Sequence, residues 1–189
     1  MNVQGVLHTI DGISTWVGKA FAWLIVLLMG VVCIEVFKRY LMNAPTAWIF
    51  DAENMLYGTC FMLGGAYALS RGQHVRGDIF YRNWPVKVQG AVDLFLYIFA
   101  FFPGIVALIS VGAQWAGQSW AIHERSFTSE AAPPLYPLKT VIPIAGPLMA
   151  IQGVAETIRS FVALRTGVWP PRLSDVEETE TILAKQSEV

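Results

Sequence analysis

Charged side chains are few in this sequence, and most of them stand near the ends of long apolar segments. Such groups could build a proton or ion path, or they could pair with one another to fix the order of helices. One set, at the end of the first apolar segment and the start of the second, is predicted to form a single network: Glu35, Lys38, Arg39, Asp51 and Glu53. In the third and fourth segments, Asp93 and Arg159 are predicted to lie at similar depth and to pair.

The position of these charges favours the pairing interpretation over the ion path. An ionisable group inside a bilayer costs about 2.5–3.5 kcal/mol on the milder insertion scales, so each one needs a reason. Near a helix end a long charged side chain reaches the interface at little cost. We therefore expect these groups to hold helices together or to contact a partner subunit.

Other kinds of chemistry have little support. The three histidines, His8, His74 and His123, lie near the terminus or in connections, so no pair is expected in facing helices to ligate a haem. No phosphate-cradling glycine loop, nucleophile elbow or H-E-x-x-H motif occurs. Cys33 and Cys60 have no metal-type spacing and are interpreted as packing residues. The Gly64-Gly65-Ala66 cluster is interpreted as a place where helices pack closely. No cofactor, metal site or enzymatic activity is predicted.

The elements that position these residues follow from composition. Hydrophobic residues make up 54% of the 189 positions and charged residues 14%, whereas about 25% is usual in a soluble domain. Four windows are long and apolar enough to span a bilayer as helices, because a span needs about 20 such residues. They cover residues 17–37, 48–70, 88–112 and 141–163. The sequence thus predicts an all-α membrane protein with four transmembrane helices.

The segments outside these windows are also informative. Apolar residues in 1–16 recur every three or four positions, opposite a face with Gln4, His8, Asp11 and Ser14. This pattern favours an amphipathic helix lying in the membrane interface, with Trp16 at headgroup level, over a frayed terminus. Pro103 predicts a kink in the third helix. We expect a membrane domain over 1–165 and a polar tail over 166–189, with a short helix capped at Ser174.

Orientation follows from the Lys and Arg residues in the connections. With both termini inside, nine of them lie on the cytoplasmic side and four on the other. The positive-inside rule therefore favours an N-in, C-in arrangement. The long connection between the third and fourth helices would face the periplasm of a bacterial inner membrane. Nothing in the charge balance suggests a nucleic acid partner.

Several short motifs, in order, resemble the small membrane subunit of tripartite ATP-independent periplasmic (TRAP) transporters, the DctQ-like family. The resemblance covers about 16–161. Its motifs are Lys38-Arg39-Tyr40, Trp48 with nearby acids, Phe61-Met-Leu-Gly-Gly-Ala-Tyr-Ala-Leu69, His74-Val-Arg-Gly-Asp-Ile-Phe-Tyr81, Ser119-Trp120 with Glu124 and Ser126, Pro137-Leu-Lys139, Ile142-Pro143 and Gln152-Gly-Val-Ala-Glu156. The second half is most similar to a branch labelled for mannitol or chloroaromatic compounds. Gly77 departs from that branch, which usually has valine there.

The resemblance implies a non-catalytic four-helix subunit that binds and braces a large membrane subunit of about a dozen or more helices. That partner would carry the substrate and sodium sites, and a periplasmic binding protein would deliver an organic acid. The residues proposed for structural or subunit-interface contacts are Glu35, Arg39, Trp48, Glu53, His74, Arg76, Asp78, Asp93, Glu156 and Arg159. No substrate-binding residue is assigned.

Two other function classes remain open from the residues alone. A self-sufficient, proton-coupled small exporter also has four helices, but it depends on a membrane-embedded carboxylate in the first one. Glu35 is the candidate, although it lies at the end of its helix. A cytochrome b-type membrane anchor would need facing histidines.

Overall fold

The computed structural model describes residues 3–72, 81 and 83–172, and within them the chain is helical apart from turns and one isolated bridge between Arg125 and Pro134. The helices are α1 (Val3–Leu41), α2 (Ile49–Ser70), α3 (Val86–Leu96), a π-helical turn (Tyr97–Phe101), α4 (Phe102–Ala121) and α5 (Tyr136–Thr166). The turn joins α3 and α4 into one continuous rod. The predicted all-α class is confirmed.

Three helices are long and apolar enough to cross a membrane: Gln4–Leu41, Val86–Ala121 and Tyr136–Thr166. Among the described residues α2 is not one of them, because Asp51, Glu53 and Asn54 lower the apolar character of its first turns. Its 22 residues nevertheless extend over about 33 Å at 1.5 Å per residue. The chain is a membrane protein, and its four helical rods are compatible with four spans.

The bundle has two ends. We call the end that holds the turn between α1 and α2, together with the connection over 122–135, the first-turn end. We call the opposite end, which holds the start of α1 and the end of α5, the terminal end. α1 has 39 residues, so it is about 58 Å long, well beyond the roughly 30 Å of a hydrocarbon core.

The N-terminal residues differ from the expected separate helix. Residues 3–16 are helical, but they run without a break into the apolar part of α1. Asp11 and Ser14, on the polar face, are buried at 2% and 3% exposure, whereas Trp16 is 73% exposed. These two residues of the polar face are therefore turned into the bundle, where α5 supplies their partners.

Helix α5 is the centre of the bundle. It packs against α1, α2 and both parts of the α3–α4 rod, while α2 packs mainly on α1. Glycine permits close contacts between these helices: a Cβ on Gly90 would lie 2.8 Å from the backbone nitrogen of Leu164 and the backbone oxygen of Ser160. Phe101 reaches α5 in the same way, against Gly153. The rod and α5 are thus in backbone contact.

The kink predicted near Pro103 stays a prediction, but the helix does change its hydrogen-bond pattern just before this residue. The backbone N–H of Phe102 bonds to the carbonyl of Tyr97, five residues back, at the end of the π-helical turn. Proline has no N–H for the carbonyl four residues before it, so a looser turn is a common response.

The two glycines of the Gly64-Gly65 pair differ in what they contact. Gly65 faces Met149 of α5, whose sulfur lies 3.3 Å from where a Cβ would be. A Cβ on Gly64 would meet nothing within 4 Å. Close packing therefore accounts for Gly65 but not for Gly64.

Candidate functional site

A fully buried ionic cluster joins α1 to α5 at the terminal end. Arg159, with no exposed surface, forms salt bridges with Asp11 of α1 and with Glu156, one turn earlier in α5. A desolvated charge is tolerated only when it is paired and hydrogen-bonded. Here each carboxylate faces a guanidinium, so the cluster fixes α1 against α5.

Two more residues complete this cluster. Gln152 donates a hydrogen bond to Asp11 at 2.9 Å and accepts one from the Ser14 hydroxyl at 2.8 Å. Arg172, in the segment after α5, donates to the second oxygen of Glu156 at 2.7 Å. Two carboxylates and two guanidiniums make the cluster electrically neutral. We call the set Asp11, Ser14, Gln152, Glu156, Arg159 and Arg172 the terminal cluster.

The predicted pair of Asp93 and Arg159 is wrong. Arg159 turns to Asp11 and Glu156, and Asp93 accepts a hydrogen bond from the Tyr81 hydroxyl at 2.9 Å. Similar depth in two helices does not fix the direction in which either side chain points. Asp93 is buried all the same, at 7% exposure.

At the first-turn end, the expected single network divides into separate contacts. Glu35 forms a salt bridge with Arg39 at 2.9 Å and accepts the backbone N–H of Thr46 at 3.2 Å. Lys38 instead donates to the Thr46 hydroxyl at 2.8 Å. The two contacts close the turn between α1 and α2.

Glu53 is half-buried, and within the described part of the chain it has no hydrogen bond or ion pair.

Asp51 belongs to a different contact, with the 122–135 connection. It accepts hydrogen bonds from the Ser126 hydroxyl, at 2.6 Å, and from the Ser129 hydroxyl. The connection is also bonded to itself, from the Ser126 N–H to the Pro133 carbonyl at 2.9 Å. A carboxylate at the start of α2 also complements the helix dipole. Asp51 therefore anchors an ordered connection onto α2.

A second ion pair holds the other side of that connection. Lys139, in the first turn of α5, bonds to Glu124, and its ammonium lies 4.1 Å from the ring centre of Trp115. The hydrogen bond from Lys139 lowers the pKa of Glu124 below its ordinary value. Both residues line a pocket of about 370 Å³ whose other walls include Gly58, Met62 and Leu138. The two charges there neutralise each other, so the pocket offers no free cation to an anionic ligand.

The charged contacts thus form two layers. Along α1, Asp11 and Glu35 are 24 residues apart, or about 36 Å, close to the thickness of a hydrocarbon core of about 30 Å. Between the layers α1 has one charged residue, the exposed Lys19. The facing stretches of α2 (54–69), of the rod (94–121) and of α5 (140–155) contain no Asp, Glu, Lys, Arg or His. The described helices carry no chain of charged groups from one layer to the other.

The residues predicted to form structural or subunit-interface contacts do not form one site; the structure places them in several separate contacts. Glu35 and Arg39 are paired, Glu156 and Arg159 belong to the terminal cluster, and Trp48 is half exposed just before α2. His74, Arg76 and Asp78 lie outside the described residues, as does the helix predicted at Ser174. Sequence reasoning missed several partners: Asp11, Arg172, Ser126 and Ser129. The polar stripe of Asp11 and Ser14 was the available signal for the first of these.

Comparison with known proteins assigns the chain to a family. No curated protein matches the chain. The family model described as "Tripartite ATP-independent periplasmic transporters, DctQ component" matches residues 28–163. The match runs from the apolar part of α1 nearly to the end of α5, and it includes Glu35, Asp51, Glu156 and Arg159. Because this match covers well over half of the sequence, the chain belongs to the DctQ component family of TRAP transporters.

Proposed function

We propose that this chain is the small, non-catalytic membrane subunit that braces the large transport subunit of a TRAP transporter. The partner would perform sodium-driven uptake of an organic acid delivered by a periplasmic binding protein. In this proposal the protein lies in the bacterial inner membrane with both termini in the cytoplasm. The first-turn end, with its ordered connection, then faces the periplasm.

The observation that carries the proposal is the pairing of charges in two separate layers. A subunit that moved an anion or a cation by itself would need polar groups available across the hydrocarbon. Here the intervening stretches are apolar, and the groups of the terminal cluster are bonded to one another. Such an arrangement holds helices rigidly, which is what a brace requires.

The exporter alternative receives no support from Glu35. Its carboxylate is held by Arg39 and by the Thr46 N–H at the end of α1. A proton-coupled carboxylate must alternate between a proton and a substrate, and a salt bridge with a neighbour on its own helix opposes that exchange.

Co-purification from the native membrane tests the proposal. The tagged full chain is solubilised in mild detergent, and the proteins that stay bound are identified by mass spectrometry. We expect one large, many-spanning protein in near-equal amount. Recovery of the chain alone, as a homo-oligomer, would contradict the proposal.

Reconstitution gives an independent check. Liposomes that contain this chain alone should not accumulate an organic acid under a sodium gradient. Liposomes with both membrane subunits should do so when the binding protein and its solute are added. Transport by the isolated chain would rule out the accessory role.

A further inference from the structure

A cleft between α1 and α2 at the first-turn end has an unbalanced charge. It has a volume of about 240 Å³, and its apolar walls include Val36, Ile49 and Phe50. Three charged residues also line it: Glu35, Arg39 and Glu53. We call this feature the α1–α2 cleft. Its two carboxylates and one guanidinium give it a formal charge of −1.

Glu53 is the carboxylate of the cleft that has no positively charged partner among the described residues. The single cation of the cleft, Arg39, is bonded to Glu35 through both its Nε and Nη2 atoms, at 3.1 and 2.9 Å. Glu53 is half-buried and has no bond to any described residue. Near a helix end such a carboxylate is tolerated while water reaches it, but it needs a hydrogen-bond donor once another protein covers it. A protein that covers the cleft must therefore supply a donor, and a positive one fits the charge of the cleft.

The exposed side of α2 gives a second, independent reason. Unlike the other three rods, α2 is not apolar enough to qualify as a span by composition. Its outward residues include Asn54 and Tyr57 as well as Phe61. Polar groups on a membrane helix usually face protein and not lipid. The outer side of α2, which borders the cleft, is thus suited to cover by another protein.

We propose that the large membrane subunit docks at the α1–α2 cleft, and that a lysine or arginine of that subunit lies against Glu53. This inference rests on the proposed function, since it names the surface that the brace would use. The apolar walls would pack against the neighbouring helix of the partner. The basic side chain would bring the charge of the cleft to zero.

Photocrosslinking locates the docking surface. The photoreactive residue benzoylphenylalanine replaces Phe50 at the cleft or, as a control, Val111 of α4; these side chains are 54% and 63% exposed. α4 packs on α5 and is not a main neighbour of α1 or α2. In native membranes that hold the whole transporter, we expect the Phe50 variant to crosslink to the large subunit and the Val111 variant not to. Crosslinks from Phe50 to lipid alone or to a second copy of this chain would overturn the proposal.

Charge variants test the role of Glu53 in the same complex. Loss of one partner of a desolvated charge pair lowers affinity by at least about tenfold. We expect Glu53→Lys to weaken the affinity for the large subunit by that factor or more, so that clearly less of it is recovered. The isosteric Glu53→Gln should cause a smaller loss. Glu130→Gln, which removes an exposed carboxylate elsewhere, is the matched control and should change nothing.

The outcomes separate the two proposals. If the unaltered chain recovers the large subunit but Glu53→Lys recovers as much, the cleft proposal is wrong and the accessory role stands. If the unaltered chain recovers no large subunit, both fail. Thermal unfolding of each variant alone should match the unaltered chain, because Glu53 is not bonded to other described residues. A fall in stability of the isosteric variant alone would mean an internal role for Glu53 and would also overturn the proposal.

Discussion

Arg159 has no exposed surface, and its guanidinium forms salt bridges with both Asp11 and Glu156. Replacement by methionine keeps most of the side-chain volume but leaves both carboxylates buried without their main partner. Breaking a buried ion pair in this way costs about 3–5 kcal/mol. We expect Arg159→Met to lower the unfolding temperature of the detergent-solubilised protein strongly, as followed by tryptophan fluorescence.

The same helix provides the control for that measurement. Arg165 is exposed, and its guanidinium lies over the ring of Phe161. Arg165→Met should change stability by about 0.5 kcal/mol or less, as is usual at exposed positions. Equal effects of the two substitutions would mean that the terminal cluster contributes nothing beyond an ordinary surface contact.

Glu124 makes a pH-dependent contact. Its pKa is lowered in the folded protein by the hydrogen bond from Lys139. Stability from such a carboxylate is present above its unfolded pKa of about 4.3 and is lost as the pH falls through the lower, folded pKa. The unfolding temperature of the unaltered chain should therefore exceed that of Glu124→Gln between pH 5 and 8, and the difference should close in acid. A difference that grew below pH 4 would contradict this assignment, and Glu130→Gln should show none.

The close approach of α3 to α5 depends on a single missing methyl group at Gly90. A Cβ there would meet backbone atoms of Ser160 and Leu164 at 2.8 Å, and backbone cannot rotate away as a side chain can. Overpacking of this kind costs about 1–3 kcal/mol. We expect Gly90→Ala to lower the unfolding temperature, although alanine favours a helix.

Gly117 makes a matched control in the same rod. A Cβ on Gly117 would have nothing within 4 Å. Gly117→Ala should therefore be neutral, or stabilising by up to about 1 kcal/mol through helix propensity. Destabilisation by both substitutions would show that the rod resists any added methyl group, and that contact with α5 is not the cause.

The number of helices could be predicted from apolar windows, while the face that each helix turns to its neighbours could not. A window fixes where a segment can lie within the membrane, but it leaves rotation about the helix axis free. Asp93 and Arg159 were expected to pair for this reason, and they do not. The stripe of Asp11 and Ser14 has the same appearance whether it faces water or a partner. Only Arg159 and Gln152, more than 130 positions later, distinguish the two cases.

The whole molecule has its ionic contacts in two layers, about one hydrocarbon thickness apart. We propose that each layer marks one membrane surface, with the terminal end in the cytoplasm, as the positive-inside rule favours. Cysteine labelling tests the orientation in a chain whose Cys33 and Cys60 are replaced by alanine. Gly5 and Thr128 are exposed at opposite ends. In spheroplasts, Thr128→Cys should react with an impermeant maleimide, and Gly5→Cys should react only after permeabilisation.

The same labelling also decides how α2 lies. If all four rods cross, the N-terminus and the 122–135 connection are on opposite sides, because three crossings separate them. If α2 does not cross, only α1 and the α3–α4 rod separate the two sites, and both fall on one side. Reaction of both cysteines from outside, or of neither, would therefore mean three spans and an α2 that lies elsewhere. The reverse pattern, with Gly5→Cys alone reactive, would keep four spans and invert the proposed orientation.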